Sequence, residues 1–164
     1  MDVSHPPDDV DPDRYLSFIT WPDIPDESAR YGFFGSACCR RIWSLLPQDS
    51  RRAVEIREEY DCGNATLADC EEAIAIARRS RSVERQKFWG KVNDGEFTPQ
   101  SAPAWAAGAA YNACVGNWVA ASKLAAYAFA CVNGGLDPAY HQERLAQCSL
   151  FAELNAERVM RETH

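Results

Sequence analysis

Apolar residues recur along most of this chain at spacings of three and four, the period of a helix that buries one face. Between Asp26 and Leu46, Tyr31, Phe34, Cys38, Ile42 and Leu45 form one such face. Phe33, Ala37 and Trp43 extend apolar surface around the flanks, so this segment predicts a central helix, ended by Pro47. Ala53, Ile56 and Tyr60 predict a third helix, capped by Asp49 and stopped at Cys62-Gly63-Asn64. Thr66-Leu67-Ala68-Asp69 resembles a capping box and opens a helix through Leu67, Cys70, Ile74 and Ala77 to about Phe88.

Ser101 to Val132 reads as one long helix with Pro103 in its first turn. Tyr111, Val115, Trp118, Ala125 and Phe129 share a stripe, and Gly108, Ala109, Gly116 and Ala120 form a second surface of tiny residues. A mid-helix Gly116 costs about 1 kcal/mol relative to alanine, which close approach of a neighbouring helix would offset. Gly134-Gly135 ends this helix. Asp137-Pro138 then repeats the cap-and-first-turn pattern of Asp11-Pro12, where a missing N–H costs nothing. The last helix runs to about Arg161 with Leu145, Cys148, Ala152, Ala156 and Val159 on one face. Near the start, a short helix carries Tyr15, Phe18 and Ile19 until Trp21-Pro22 and Ile24-Pro25 break it. No segment alternates as a strand does. The expected fold is all-α: a single-domain bundle of about six helices over residues 11–164, preceded by a disordered acidic tail at residues 1–10.

With 164 residues, 46% of them hydrophobic, the chain can bury a core without metals or disulfides. Its net charge of −7 is mostly an N-terminal property, since residues 1–30 hold eight acids against Arg14 and Arg30. The opposite charge gathers in Arg78, Arg79, Arg81, Arg85, Lys87 and Lys91, opposed only by Glu84, with Phe88 and Trp89 alongside. Arg78, Arg79, Arg81, Arg85, Lys87 and Trp89 are therefore the candidate partner-binding residues. An acidic protein segment, or the chain's own tail, is the partner this run favours. The acidic balance argues against nucleic acid, and a homo-oligomer stays open. Arg41 flanks the stripe centred on Cys38 and is expected to pair with Glu55 or Glu59, while Arg40 points away. Glu55, Glu58, Glu59 and Asp61 read as a solvated face.

The seven cysteines are odd in number, and Met1–Asp13 has neither the basic nor the apolar region of a signal peptide. The expectation is a cytoplasmic protein with reduced, mostly buried thiols and no membrane span. Neighbouring Cys38 and Cys39 point about 100° apart on a helix, a poor chelating geometry. Metal-ligand pairs such as C-x₂-C are missing from the sequence, as are P-loop, Rossmann, G-x-S-x-G and H-E-x-x-H patterns. No cofactor or metal is expected. Of the three histidines only His141 falls in a structured element, and it reads as solvated surface.

The run Phe34-Gly35-Ser36-Ala37-Cys38-Cys39-Arg40-Arg41-Ile42-Trp43-Ser44-Leu45-Leu46, followed by Ser50-Arg51-Arg52-Ala53-Val54-Glu55, resembles a family of uncharacterised proteins found in many paralogous copies in planctomycete bacteria. The likeness is specific across about residues 30–77 and looser from Trp105 to Leu154, where it rests on alanine and tryptophan content. It implies a helical fold and no activity. Many members carry His where this chain has Ser44, so acid–base or metal chemistry at that position is not available here. The functional expectation is a non-enzymatic helical interaction module, with an oligomer left open. The alternative is an enzyme, or a metal- or thiol-dependent sensor, using Cys38, Cys39 and His141.

Overall fold

A proline at the first helical position starts the bundle. In α1 (Pro12–Phe18) the Asp11 carboxylate accepts from the Asp13 N–H at 3.0 Å, as the sequence predicts for a cap. The computed structural model describes residues 11–18, 27–88 and 97–162, and every regular element within them is helical. The predicted tail at residues 1–10, the breaks at Trp21-Pro22 and Ile24-Pro25, and the loop at Asn93-Asp94-Gly95 lie outside the described residues. The helices that follow are α2 (Glu27–Arg41), α3 (Gln48–Asp61), α4 (Leu67–Lys87), α5 (Ala102–Cys114), α6 (Trp118–Val132) and α7 (His141–Glu162). Together they pack as one all-α domain. No described helix is long and apolar enough to cross a membrane.

The predicted capping box is present: Thr66 Oγ1 accepts from the Asp69 N–H, and Asp69 accepts from the Thr66 N–H at 2.8 Å. Gly63, at φ +78°, ends α3 as expected. Other boundaries differ. α2 stops at Arg41, and one tight turn, Trp43–Leu45, precedes Pro47. Pro47, not Asp49, occupies the cap position of α3. Asp137 adopts an extended backbone (φ −128°, ψ 126°), as a residue before proline is pushed to do, so the last helix begins at His141.

The largest correction falls on the alanine-rich segment. The expected single helix is a hairpin of two, α5 and α6, which gives seven helices among the described residues instead of about six. Gly116 stands at φ +79° in the turn, and the Asn117 side chain caps α6 by accepting from the Ala120 N–H at 3.1 Å. Gly116 therefore serves chain reversal, not close packing. Close packing falls to other glycines: a Cβ on Gly108 would meet Leu124 at 3.1 Å, and one on Gly35 would meet the Ala113 backbone at 3.4 Å.

The core sits between α2, α5, α6 and α7. Ala106, Ala109, Ala110 and Ala113 of α5 face Ala121, Ala125 and Ala128 of α6, all buried. Small side chains let the helices approach. The volume they leave is filled by Phe34 of α2, whose ring meets Trp118 of α6 and Phe151 of α7 edge-on with centroids 5.6 and 5.2 Å away. Such pairs add about 0.5–1.5 kcal/mol beyond their area. A second cluster, Ala53, Ala73, Ile76, Ala77 and Cys114, joins α3 and α4 to α5.

Several predicted stripes are rotated. Leu67, Val115 and Leu145 are exposed. The inner row of α3 is Ser50, Ala53, Val54 and Arg57. Arg57 donates to Asp61 at 2.9 Å and to the Cys114 carbonyl at 2.9 Å. That carbonyl lies at the end of α5, where helical partners run out. Asp61, with a side chain only 2% exposed, leaves the solvated face to which the sequence assigned it. Burial raises its carboxyl above the ordinary range, against the opposing pull of Arg57.

Candidate functional site

α4 carries the predicted basic run, and helical geometry divides it. Glu71, Glu72, Ala75, Arg78, Arg79, Ser82, Val83 and Gln86 share the exposed face, acidic at its N-terminal half and basic at its C-terminal half, in the sense the helix dipole favours. Arg52 of α3 approaches Glu72 at 3.7 Å on that face. Arg78 and Arg79 are exposed beside Val83, which is 50% exposed. The remaining cations are engaged. The Arg81 guanidinium lies 4.9 Å from the Tyr111 ring centroid, and Lys87 donates to buried Glu84 at 2.7 Å. Arg85 is half-buried. Trp89 and Lys91 lie outside the described residues. The structure thus keeps Arg78 and Arg79 together at the surface, turns Arg81 toward Tyr111, and leaves Lys87 exposed while it pairs with Glu84.

The thiol constellation is not brought together as one site. Cys38 and Cys39 are fully buried in α2, while His141 is exposed at the start of α7. Burial, the dominant cause, holds both thiols far above the ordinary range, with nearby Glu143 adding to the effect at Cys38. Burial also pushes Cys114 up to about 12 and Cys148 up to about 11. All seven cysteines are free, and only Cys62 is exposed. No three His, Cys, Asp or Glu side chains among the described residues are grouped to hold a metal ion.

A polar cluster that the sequence reading missed is buried at α7 and reaches the surface at Arg41 and Asp13. Arg41 grips Glu143, not Glu55 or Glu59, donating from Nε at 2.7 Å and from Nη2 at 2.9 Å. Arg144 donates to Asp13 at 2.7 Å, to the Gln147 side chain at 2.7 Å and to Ser122 Oγ at 2.9 Å. Gln147 in turn donates to the Ser122 carbonyl at 3.0 Å and to Glu143 at 3.3 Å. The Tyr140 hydroxyl donates to Asp13 at 3.0 Å. Two cations face two carboxylates, so the cluster is neutral, and each charge has hydrogen-bond partners as burial demands. It ties α1, α2, α6 and α7 together. Its available signal was Glu143, Arg144, Gln147 and Cys148 at helical spacing, interrupting the supposed apolar face of the last helix. Comparison with family models, curated proteins and solved structures yields no match to this chain.

Proposed function

We propose that this protein is a non-enzymatic helical interaction module that takes an acidic protein segment on the C-terminal half of α4. The supporting observation is the exposed pair Arg78 and Arg79 beside Val83, on a helix whose opposite face is locked into the core by Ala73, Ile76 and Ala77. An adjacent pair of cations flanked by an apolar group suits a peptide that alternates carboxylates with apolar side chains. The interior offers less chemistry. Its thiols are held protonated by burial, and its carboxylates and guanidiniums occupy one another. We extend the proposal to the cytoplasm, where seven unpaired cysteines stay reduced, and to membership of the planctomycete family.

The test uses the full chain and polyglutamate as the acidic probe. Binding at low salt should weaken at least about tenfold when both arginines are reversed (Arg78→Glu with Arg79→Glu), and should fall steeply with added salt. Deleting residues 1–10 removes Asp2, Asp8 and Asp9. If the tail competes for this face, the deletion tightens binding. Unchanged affinity in the charge-reversed protein overturns the assignment of the face.

A further inference from the structure

A second surface carries different chemistry. An open groove of about 560 Å³ runs between α2 and α7 and is closed at one end by the last turn of α3. Its walls are Phe33 and Ala37 of α2 and Leu150 and Leu154 of α7. Its volume lies within the ~300–1,000 Å³ of small-molecule sites, which pair apolar walls with a few fixed polar groups.

Those polar groups gather at one end. Ser36, only 1% exposed, lines the groove, and its hydroxyl has no hydrogen-bond partner. One turn further along α2 come Arg40 and Arg41. Each grips a carboxylate through Nε and Nη2, Arg40 that of Glu58 and Arg41 that of Glu143. A guanidinium has five N–H groups in a fixed fork, so both keep unused donors on Nη1. Arg40 is held further by Trp43, whose ring centroid lies 3.9 Å from its guanidinium carbon. The end of the groove is therefore rich in donors. It is not rich in positive charge, because Glu58 and Glu143 balance the two arginines and Glu153 lies near Arg41.

We propose that this groove binds a neutral amphipathic molecule, an apolar chain ending in an uncharged acceptor such as an amide or ester carbonyl. The chain lies against Phe33, Ala37, Leu150 and Leu154. The carbonyl oxygen accepts from the Ser36 hydroxyl and from a free arginine N–H. An anionic head would meet the same donors but also the carboxylates that already neutralise them. An ammonium head would meet the two guanidiniums at the same end, and the carboxylates there are already paired with them. The inference is independent of the acidic-partner reading of α4, because it uses another face.

Cys62, the one exposed thiol of the seven, sits at the rim and reports occupancy. Its labelling rate with a disulfide reagent is measured on the full chain against octanamide, with octanoate and octylamine as charged comparators. Octanamide should slow labelling saturably and at lower concentration than either comparator. Ser36→Ala should weaken that protection roughly three- to tenfold, the worth of one hydrogen bond. The same change should raise the melting temperature, because it removes a buried hydroxyl with no partner. Affinity and stability then move in opposite directions, which a purely structural serine does not produce. Leu150→Glu should abolish protection. Three results each overturn the proposal: no protection by octanamide, equal protection by all three head groups, or protection that Ser36→Ala leaves unchanged.

Discussion

α4 and α7 look alike in sequence. Both are long, both mix arginine with glutamate, and both interrupt their charges with alanine and isolated larger apolar residues. In the fold they are opposites. α4 turns Glu71, Glu72, Arg78 and Arg79 to solvent and packs alanines inward. α7 turns Glu143, Arg144 and Gln147 inward and leaves His141, Gln142 and Leu145 outside. The difference lies in what the neighbours offer. α4 packs on α3 and α5, whose facing surfaces are mostly apolar, so its inward polar groups are few: Ser80, paired with Ser50, and Glu84, paired with Lys87 of the same helix. α7 meets Arg41 from α2, Asp13 from α1 and Ser122 from α6, which supply a matched partner for each buried polar group. Arginine and glutamate on a helix thus do not by themselves define its solvent face.

The sharpest way to break this comparison is to remove one partner from the α7 cluster. Arg41→Ala leaves the Glu143 carboxylate, 1% exposed, without its bidentate cation. The expected loss is about 3–5 kcal/mol of unfolding free energy by denaturant titration. Arg40→Ala removes a more exposed pair with Glu58 and a stacking contact with Trp43, and should cost about 1 kcal/mol. Arg79→Ala on α4 should fall within about 0.5 kcal/mol of the parent. Equal losses at Arg41 and Arg79 would erase the distinction between the two helices.

A second-site change sharpens the cause. If the cost of Arg41→Ala is an uncompensated buried charge, adding Glu143→Gln should restore roughly half of it or more, because the charge is gone while Gln147 still has a hydrogen-bond partner. Strictly additive losses in the double variant would attribute the cost to packing.

The smallest effect concerns protons. Burial raises Cys148 to about 11, above its ordinary value near 9. The native state therefore keeps this proton after the unfolded chain has released it. Its contribution is complete below pH ~9 and is lost as the pH rises through about 11, by up to about 1.4 kcal/mol per pH unit. Cys148→Ala should reduce the slope of the stability profile across that window, the other buried thiols keeping the rest of it. Parallel profiles for Cys148→Ala and the parent would remove the thiol from the account.

Local chemistry was legible where it needs only neighbours in sequence. The Thr66–Asp69 capping box, the Gly63 stop and the proline start of α1 are each set within a few residues, and all appear as read. The recurrent alanine of 104–130 hid a reversal, because alanine favours helix wherever it stands and leaves Gly116 and Asn117 to mark the turn. Of the six residues assigned to the partner site, Arg78 and Arg79 are exposed together. Arg81 is turned to Tyr111 of another helix, which no reading of the run by itself could place, while Lys87 stays exposed and pairs with Glu84 of the same helix.

The sequence alone determined that this chain is helical, that cysteine and alanine would carry much of its interior, and where most helices begin and end. These follow from backbone propensity and from the period of apolar positions, which act over one to four residues. Only the tertiary structure decided which charges are buried, that Arg41 reaches Glu143 across 102 positions of chain, and that Ser36 lines a donor-rich groove. The stability of a buried charge depends on the partner that folding brings beside it, and that partner is distant in sequence.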